Sequence, residues 1–219
     1  MLGVSTVAPI AGPVTRLLLV RHGQSEWNAA GRWQGWNDVP LSDLGGQQAR
    51  EAAGRLGRLG ITAVVHSGML RTAQTADIVN AALHLPAPEV ESGLKEYDVG
   101  EWGGLTRPEI EQRWPGALDQ WFNDELPATP SGEVRSAFRQ RVLEALHRLA
   151  VRHRGACVLA VTHGGVVGMV QRSLVTGGDS PRVGNLSGRW VEADGSGRLV
   201  LGPLVHLLEP EHETTSPTA

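Results

Sequence analysis

Two short aliphatic runs, Leu17–Val20 and Val158–Val161, each break off into a histidine, and this feature constrains the chain more than any other. A run of this kind with no polar alternation is the pattern of a strand buried on both faces, as in the middle of a parallel sheet. The first leads into Arg21-His22-Gly23 and the second, through Thr162, into His163-Gly164-Gly165. Parallel neighbours need long crossovers, usually helices. Ser42 can cap a helix through about Leu59 that stops at Gly60, Ile61–Val65 reads as another strand, and Met69–Ala82 as another helix. Ser131 with Glu133 opens a helix to about His153, and Gly164 opens one to about Val175. Arg189–Glu192 and Arg198–Leu201 flank Asp194-Gly195-Ser196-Gly197 as the arms of a hairpin would. The alternation predicts an α/β fold, a three-layer αβα sandwich with a mostly parallel central sheet and helices on both faces. In such sheets ligands bind beyond the carboxyl ends of the strands. Both histidines fall there.

The chain has 219 residues, 41% of them hydrophobic, enough for one sizeable core. Residues 1–15 read as a flexible leader, 16–208 as a single catalytic domain with a small cap insertion around 97–130, and 209–219 as a disordered tail. A net charge of −3 provides no basic field for nucleic acid. No apolar stretch approaches the roughly 18 residues of a membrane span, and the first residues lack a signal-peptide pattern, so the expected compartment is the cytoplasm. Cys157 stands alone, which excludes an internal disulfide and a paired-cysteine zinc site. Lys95 is the sole lysine among 20 cationic residues, so an arginine here must be argued from its position. The apolar stretch Leu199–Leu208 would line a homodimer interface or form an edge strand.

Arg21 and His22 set a cation beside an imidazole at a strand end, and Gly23 allows close backbone approach. The continuation Arg21-His22-Gly23-Gln24-Ser25-Glu26-Trp27-Asn28 resembles the Arg-His-Gly-x-Ser/Thr-x-x-Asn signature of the histidine phosphatase superfamily, the phosphoglycerate-mutase-like group. Further blocks resemble that family in the same order: Leu41-Ser42-Asp43-Leu44-Gly45, Ser67 through Arg71 to Thr75-Ala76, Leu94-Lys95-Glu96 with Gly100 to Gly104, and Thr162 to Gly165. The resemblance implies that His22 is the nucleophile, that Arg21, Arg71 and His163 hold the transferring phosphoryl group, and that Glu96 is the acid and base. Glu101 and Asp98 are competitors for that last role. Asn28, Gly23, Gln34 and Gly164 would add substrate contacts.

The chemistry agrees with that assignment. Phosphoryl transfer needs an in-line nucleophile, cations for the equatorial oxygens and a proton for the leaving oxygen. A neutral imidazole can attack to give a phosphohistidine, arginine forks suit phosphate, and a helix start after His163 favours an anion. No cofactor or metal is called for, and His22, His163 and Glu96 lack HExxH spacing. Neighbouring arginines should lower the pKa of His22. Seven tryptophans against two phenylalanines and one tyrosine are unusual. Trp36 and Trp102 flank the motifs and would form an aromatic wall around the leaving group, or else fill the core.

Three functions share these residues. The first is a metal-independent phosphomonoester hydrolase acting on a small phosphorylated metabolite. The second is a cofactor-dependent phosphoglycerate mutase, and the third a phospho-ligand-binding module without catalysis. Only 35 residues lie between Glu96 and Gly132, which leaves little room for the long segment of the mutases. His163-Gly164-Gly165 also looks more like the phosphatase branch. The sequence therefore favours the hydrolase.

Overall fold

The computed structural model describes residues 12–175, 181–209 and 212. Among these residues six strands form one sheet in the order β3-β2-β4-β1-β5-β6. They are β1 (Thr15–Arg21), β2 (Ala63–His66), β3 (Glu89–Val90), β4 (Cys157–Thr162), β5 (Ser187–Ala193) and β6 (Leu199–His206). The first four run parallel, and β5 and β6 add an antiparallel edge. Among the described residues seven α-helices accompany them: α1 (Glu26–Ala29), α2 (Asp43–Leu56), α3 (Leu70–Leu83), α4 (Arg107–Arg113), α5 (Ala117–Phe122), α6 (Arg135–Arg152) and α7 (Gly164–Leu174). Among the described residues no helix is long and apolar enough to cross a membrane.

The aliphatic runs explain the layering through the two-residue period of a strand. Leu17 and Leu19 of β1 point into a core with Val142, Leu146 and Leu149 of α6 and Val166 and Val170 of α7. Leu18 and Val20 point the other way, to Ala52 and Leu56 of α2 and Ala76 and Val79 of α3. Helices therefore cover both faces. Each fully buried leucine contributes about 1.5–3 kcal/mol of transfer free energy, so β1, buried on both sides, anchors both cores.

Helix α2 starts where expected, with Ser42 Oγ accepting from the Gly45 amide at 3.1 Å. It ends at Leu56, before the expected Leu59, with Gly57 closing the last turn. The expected start of α6 needs correction. Ser131 has a left-handed φ of 55° and lies outside the helix, which begins at Arg135 after an extended Val134. Glu133 instead receives Nε and Nη2 of Arg141 at 2.7 and 2.9 Å. The hairpin strands run longer than expected, around a turn in which Asp194 Oδ1 accepts from Ser196 and Arg198 amides. Helices α4 and α5 lie within the segment 97–130, and α4 opens on a Thr106–Glu109 capping box. Most of the leader and tail lies outside the described residues. Of their described members, Thr15 already belongs to β1, while Glu209 and His212 pair with Arg55 and Glu51 of α2.

Candidate active site

Sheet register assembles the site. In the parallel pair of β1 and β4, Arg21 lies opposite Thr162, so the next residues of each strand, His22 and His163, emerge side by side. Their rings meet edge-on with centroids 5.3 Å apart. On the other side of β4, β2 ends at His66 and delivers Ser67 next to His163. Three adjacent strand ends thus supply three contiguous polar side chains.

His22 Nδ1 lies 2.7 Å from the carbonyl oxygen of Gly23. A carbonyl only accepts, so Nδ1 carries the proton and Nε2 keeps its lone pair. Arg71 Nε donates to that same Nε2 at 3.2 Å. The Arg71 guanidinium, 1% exposed, is fixed by donation to the carbonyls of Asn37 at 2.9 Å and Gly35 at 3.0 Å. Arg21 donates to the Val183 carbonyl at 2.9 Å. Burial lowers both arginines to about 10, partly countered by the carboxylate of Glu96. Burial is also the main reason that His22 and His163 sit well below the usual histidine value. The neighbouring arginines add to it, so the sequence expectation named the second cause rather than the first.

His163 is fully buried, and its Nε2 lies 2.8 Å from Ser67 Oγ. Thr72 Oγ1 donates to the Met69 carbonyl at 2.7 Å and so accepts from Ser67 Oγ at 2.8 Å. Ser67 must then accept from His163, which places the proton on Nε2 and leaves Nδ1, a buried atom with no partner, as an acceptor. Glu96 accepts through Oε1 from the Tyr97 amide at 2.9 Å and through Oε2 from the Gly165 amide at 3.2 Å.

A cavity of about 530 Å³ opens over these groups. Arg21, His22, Arg71, Glu96, Asn28, Gln34 and Gly164 line it. His163 does not; it stands behind, against His22. Three further expectations are corrected. Gly23 lies outside the lining because its need for glycine comes from packing: a Cβ there would stand 2.6 Å from the Gly45 carbonyl oxygen. Trp102 is wholly buried, edge-on to Trp33 at 5.3 Å, as part of the core. Trp36 is 46% exposed and donates to the Glu96 carbonyl at 2.7 Å, so it braces the loop that carries Glu96. The aromatic wall exists but is built from Trp33, Trp121, Phe122 and Phe138. Sequence reasoning missed Arg141, which donates to the carbonyls of Gly93, Lys95 and Glu96 and so holds the Glu96 segment. Among the described residues no group of three or more His, Cys, Asp or Glu side chains could hold a metal ion.

A buried neutral imidazole facing two fixed guanidinium groups, with a carboxylate on the same cavity, is equipped for phosphoryl chemistry. The model of the histidine phosphatase superfamily (branch 1) matches residues 17–201, and the chain belongs to that family. The Bifunctional protein Rv2228c of Mycobacterium tuberculosis is 38% identical over 168 residues, covering 76% of this chain and 46% of that protein, so the chain spans about half the length of that relative. Glucosyl-3-phosphoglycerate phosphatase of Mycolicibacterium vanbaalenii is 34% identical over 169 residues, covering 74% of this chain and 75% of the relative. The solved structure of Bacillus stearothermophilus YhfR superposes with a TM-score of 0.78 at 32% identity, covering 89% of this chain and all of that one.

Proposed function

We propose that the chain is a metal-independent phosphomonoester hydrolase that acts through a phosphohistidine on a small phosphorylated metabolite. The observation that carries this reading is the pair of contacts on His22: Nδ1 donates to the Gly23 carbonyl, and Nε2 faces the Arg71 guanidinium. A phosphoryl group arriving at Nε2 meets nucleophile and cation together. In the first step Nε2 forms the N–P bond as the ester P–O bond breaks, and Glu96 gives its proton to the leaving oxygen. In the second step Glu96 takes a proton from water, whose oxygen bonds to phosphorus as the N–P bond breaks. Inorganic phosphate leaves and both residues return to their starting states. Arg21 and Arg71 hold the equatorial oxygens. A proton reaching Nδ1 of His163 would turn that atom into a further donor.

The short α4 and α5 of segment 97–130 favour the hydrolase over a mutase, which needs a larger cover to retain its intermediate. The name of the mycobacterial glucosyl-3-phosphoglycerate phosphatase supports a phosphate ester of a small metabolite. Brief incubation with a labelled phosphomonoester in EDTA, followed by a denaturing quench, should leave acid-labile, base-stable phosphorus on His22. Turnover that persists in His22→Ala sinks the proposal. A rate on 3-phosphoglycerate that requires its bisphosphate would establish the mutase instead.

A further inference from the structure

His22 carries its proton on Nδ1 because the Gly23 carbonyl accepts it at 2.7 Å, so the aim of the nucleophile depends on how that carbonyl is held. Two successive peptide groups set its direction. The first joins the His22 carbonyl to the Gly23 amide, and the second joins the Gly23 carbonyl to the Gln24 amide. The sheet stops short of both. Its ladder between β1 and β4 closes with the His22 amide donating to the Thr162 carbonyl at 3.0 Å, after which β4 turns into α7.

Buried side chains take over from the backbone at that point. Asn185 Nδ2 donates to the His22 carbonyl at 2.8 Å, and Thr75 Oγ1 of α3 accepts from the Gly23 amide at 3.2 Å, so the first peptide is held at both ends. Gln48 Oε1 of α2 accepts from the Gln24 amide at 2.9 Å and holds the far end of the second. Its Nε2 donates to the His212 carbonyl at 3.0 Å, which settles which end of that side chain faces Gln24. All three side chains are buried, and none of them lines the cavity. The segment that brings in Asn185 is also strained. The next residue, Leu186, is fully buried with a left-handed φ of 52°, a conformation leucine seldom adopts. Its amide donates to the Arg21 carbonyl at 3.0 Å, and its carbonyl accepts from the Leu207 amide at 3.1 Å. Strain of this kind persists only where the surroundings enforce it, and it concentrates at functional sites.

We infer that Asn185, Thr75 and Gln48 are positioning residues for the nucleophile: they clamp two successive peptides so that the Gly23 carbonyl keeps the Nδ1 proton and Nε2 faces the phosphoryl group. This inference rests on the phosphohistidine reading and goes beyond it, because it assigns the tautomer of His22 to three side chains outside the cavity.

The imidazole itself is the probe. With nitrogen-15 in the histidines, two-bond proton–nitrogen spectra of the wild type should show His22, assigned by comparison with His22→Asn, as a single Nδ1–H tautomer. Asn185→Ala and Gln48→Met each free one end of a peptide, and in each the ring should pass to a mixture of tautomers. Single-turnover phosphorylation of His22 by p-nitrophenyl phosphate should slow by about tenfold to a hundredfold with KM little changed, the scale expected when a reacting atom is slightly misplaced. A merely structural role would lower stability to urea and leave the tautomer and the rate of the folded protein as they were. Gln48→Met, a long side chain of similar shape within a helix, keeps the test open should Asn185→Ala fail to fold. A wild-type ring protonated on Nε2, or a tautomer or rate unchanged in the folded variants, overturns the clamp while leaving the phosphatase reading intact. Absence of any phosphoenzyme in the wild type overturns that reading instead, and the spectra of wild type and variants then decide the clamp without it.

Discussion

The carboxylate of Glu96 occupies the place where residue 165 would otherwise carry a Cβ: Oε2 accepts from the Gly165 amide at 3.2 Å, and a methyl group there would collide with Oε1. The second glycine of His163-Gly164-Gly165 is therefore a requirement of the acid rather than of the helix. The N-terminal turn of α7 also orients its amides toward the carboxylate, a favourable place for negative charge.

Gly165→Ala should displace Glu96 while leaving His22 and the arginines in place. An alkyl phosphate needs its leaving oxygen protonated and should lose about a hundredfold in kcat, the lower range of general acid catalysis. p-Nitrophenyl phosphate, with a good leaving group, should lose far less in its first step. The measurement is single-turnover phosphorylation of His22 by each ester. Equal losses with both would mean that Glu96 does not protonate the leaving group.

The fold was largely legible because its strongest signals are local. Leu17–Val20 and Val158–Val161 can be buried on both faces only in the middle of a sheet, and the structure puts β1 and β4 there, side by side. The block from Ser67 to Thr75 now has a physical account for its spacing: Ser67 reaches His163, Arg71 reaches His22, and Thr75 Oγ1 accepts from the Gly23 amide at 3.2 Å. Trp36, Trp102 and Arg141 were not legible, because proximity in sequence to a motif does not give the direction of a side chain. Arg141 lies 45 positions from Glu96 and reaches its carbonyl only because α6 packs beside that loop. In a chain with so many arginines, composition could not single it out. The two-residue β3 was invisible for a different reason: Glu89 and Val90 form an exposed edge with no apolar alternation.

Ser67 fixes the tautomer of His163, so Ser67→Ala should free Nε2 without touching the cavity. Loss of one buried hydrogen bond costs about 1 kcal/mol, which predicts a roughly fivefold to tenfold fall in kcat with little change in KM. The acid limb of the pH–rate profile should also move, because the ring can then carry its proton on either nitrogen. Comparing kcat, KM and that profile with wild type checks the role. A change in KM alone, with an unmoved profile, would reduce Ser67 to a packing residue.

Burial holds His22 and His163 well below 6.5, and His66, also buried, is lowered in the same direction. The unfolded chain therefore takes up protons near 6.5 while the native rings do not. Stability contributed by keeping these rings neutral is fully present above about pH 6.5 and is lost as pH falls below it, at up to about 1.4 kcal/mol per pH unit for each ring. Carboxylates such as Glu91, held low in the native state despite its burial, act in a more acidic window, as the unfolded carboxyls near 4.5 begin to protonate. Between pH 6.5 and 5.5 the histidines should dominate, so urea unfolding should give a steep loss of stability that is clearly shallower in His163→Asn. The same depression keeps the nucleophile unprotonated, and kcat/KM should not fall through pH 6.5 on account of His22. Identical slopes in the two proteins, together with an acid limb at the ordinary histidine value, would mean that these rings titrate as though they were in water.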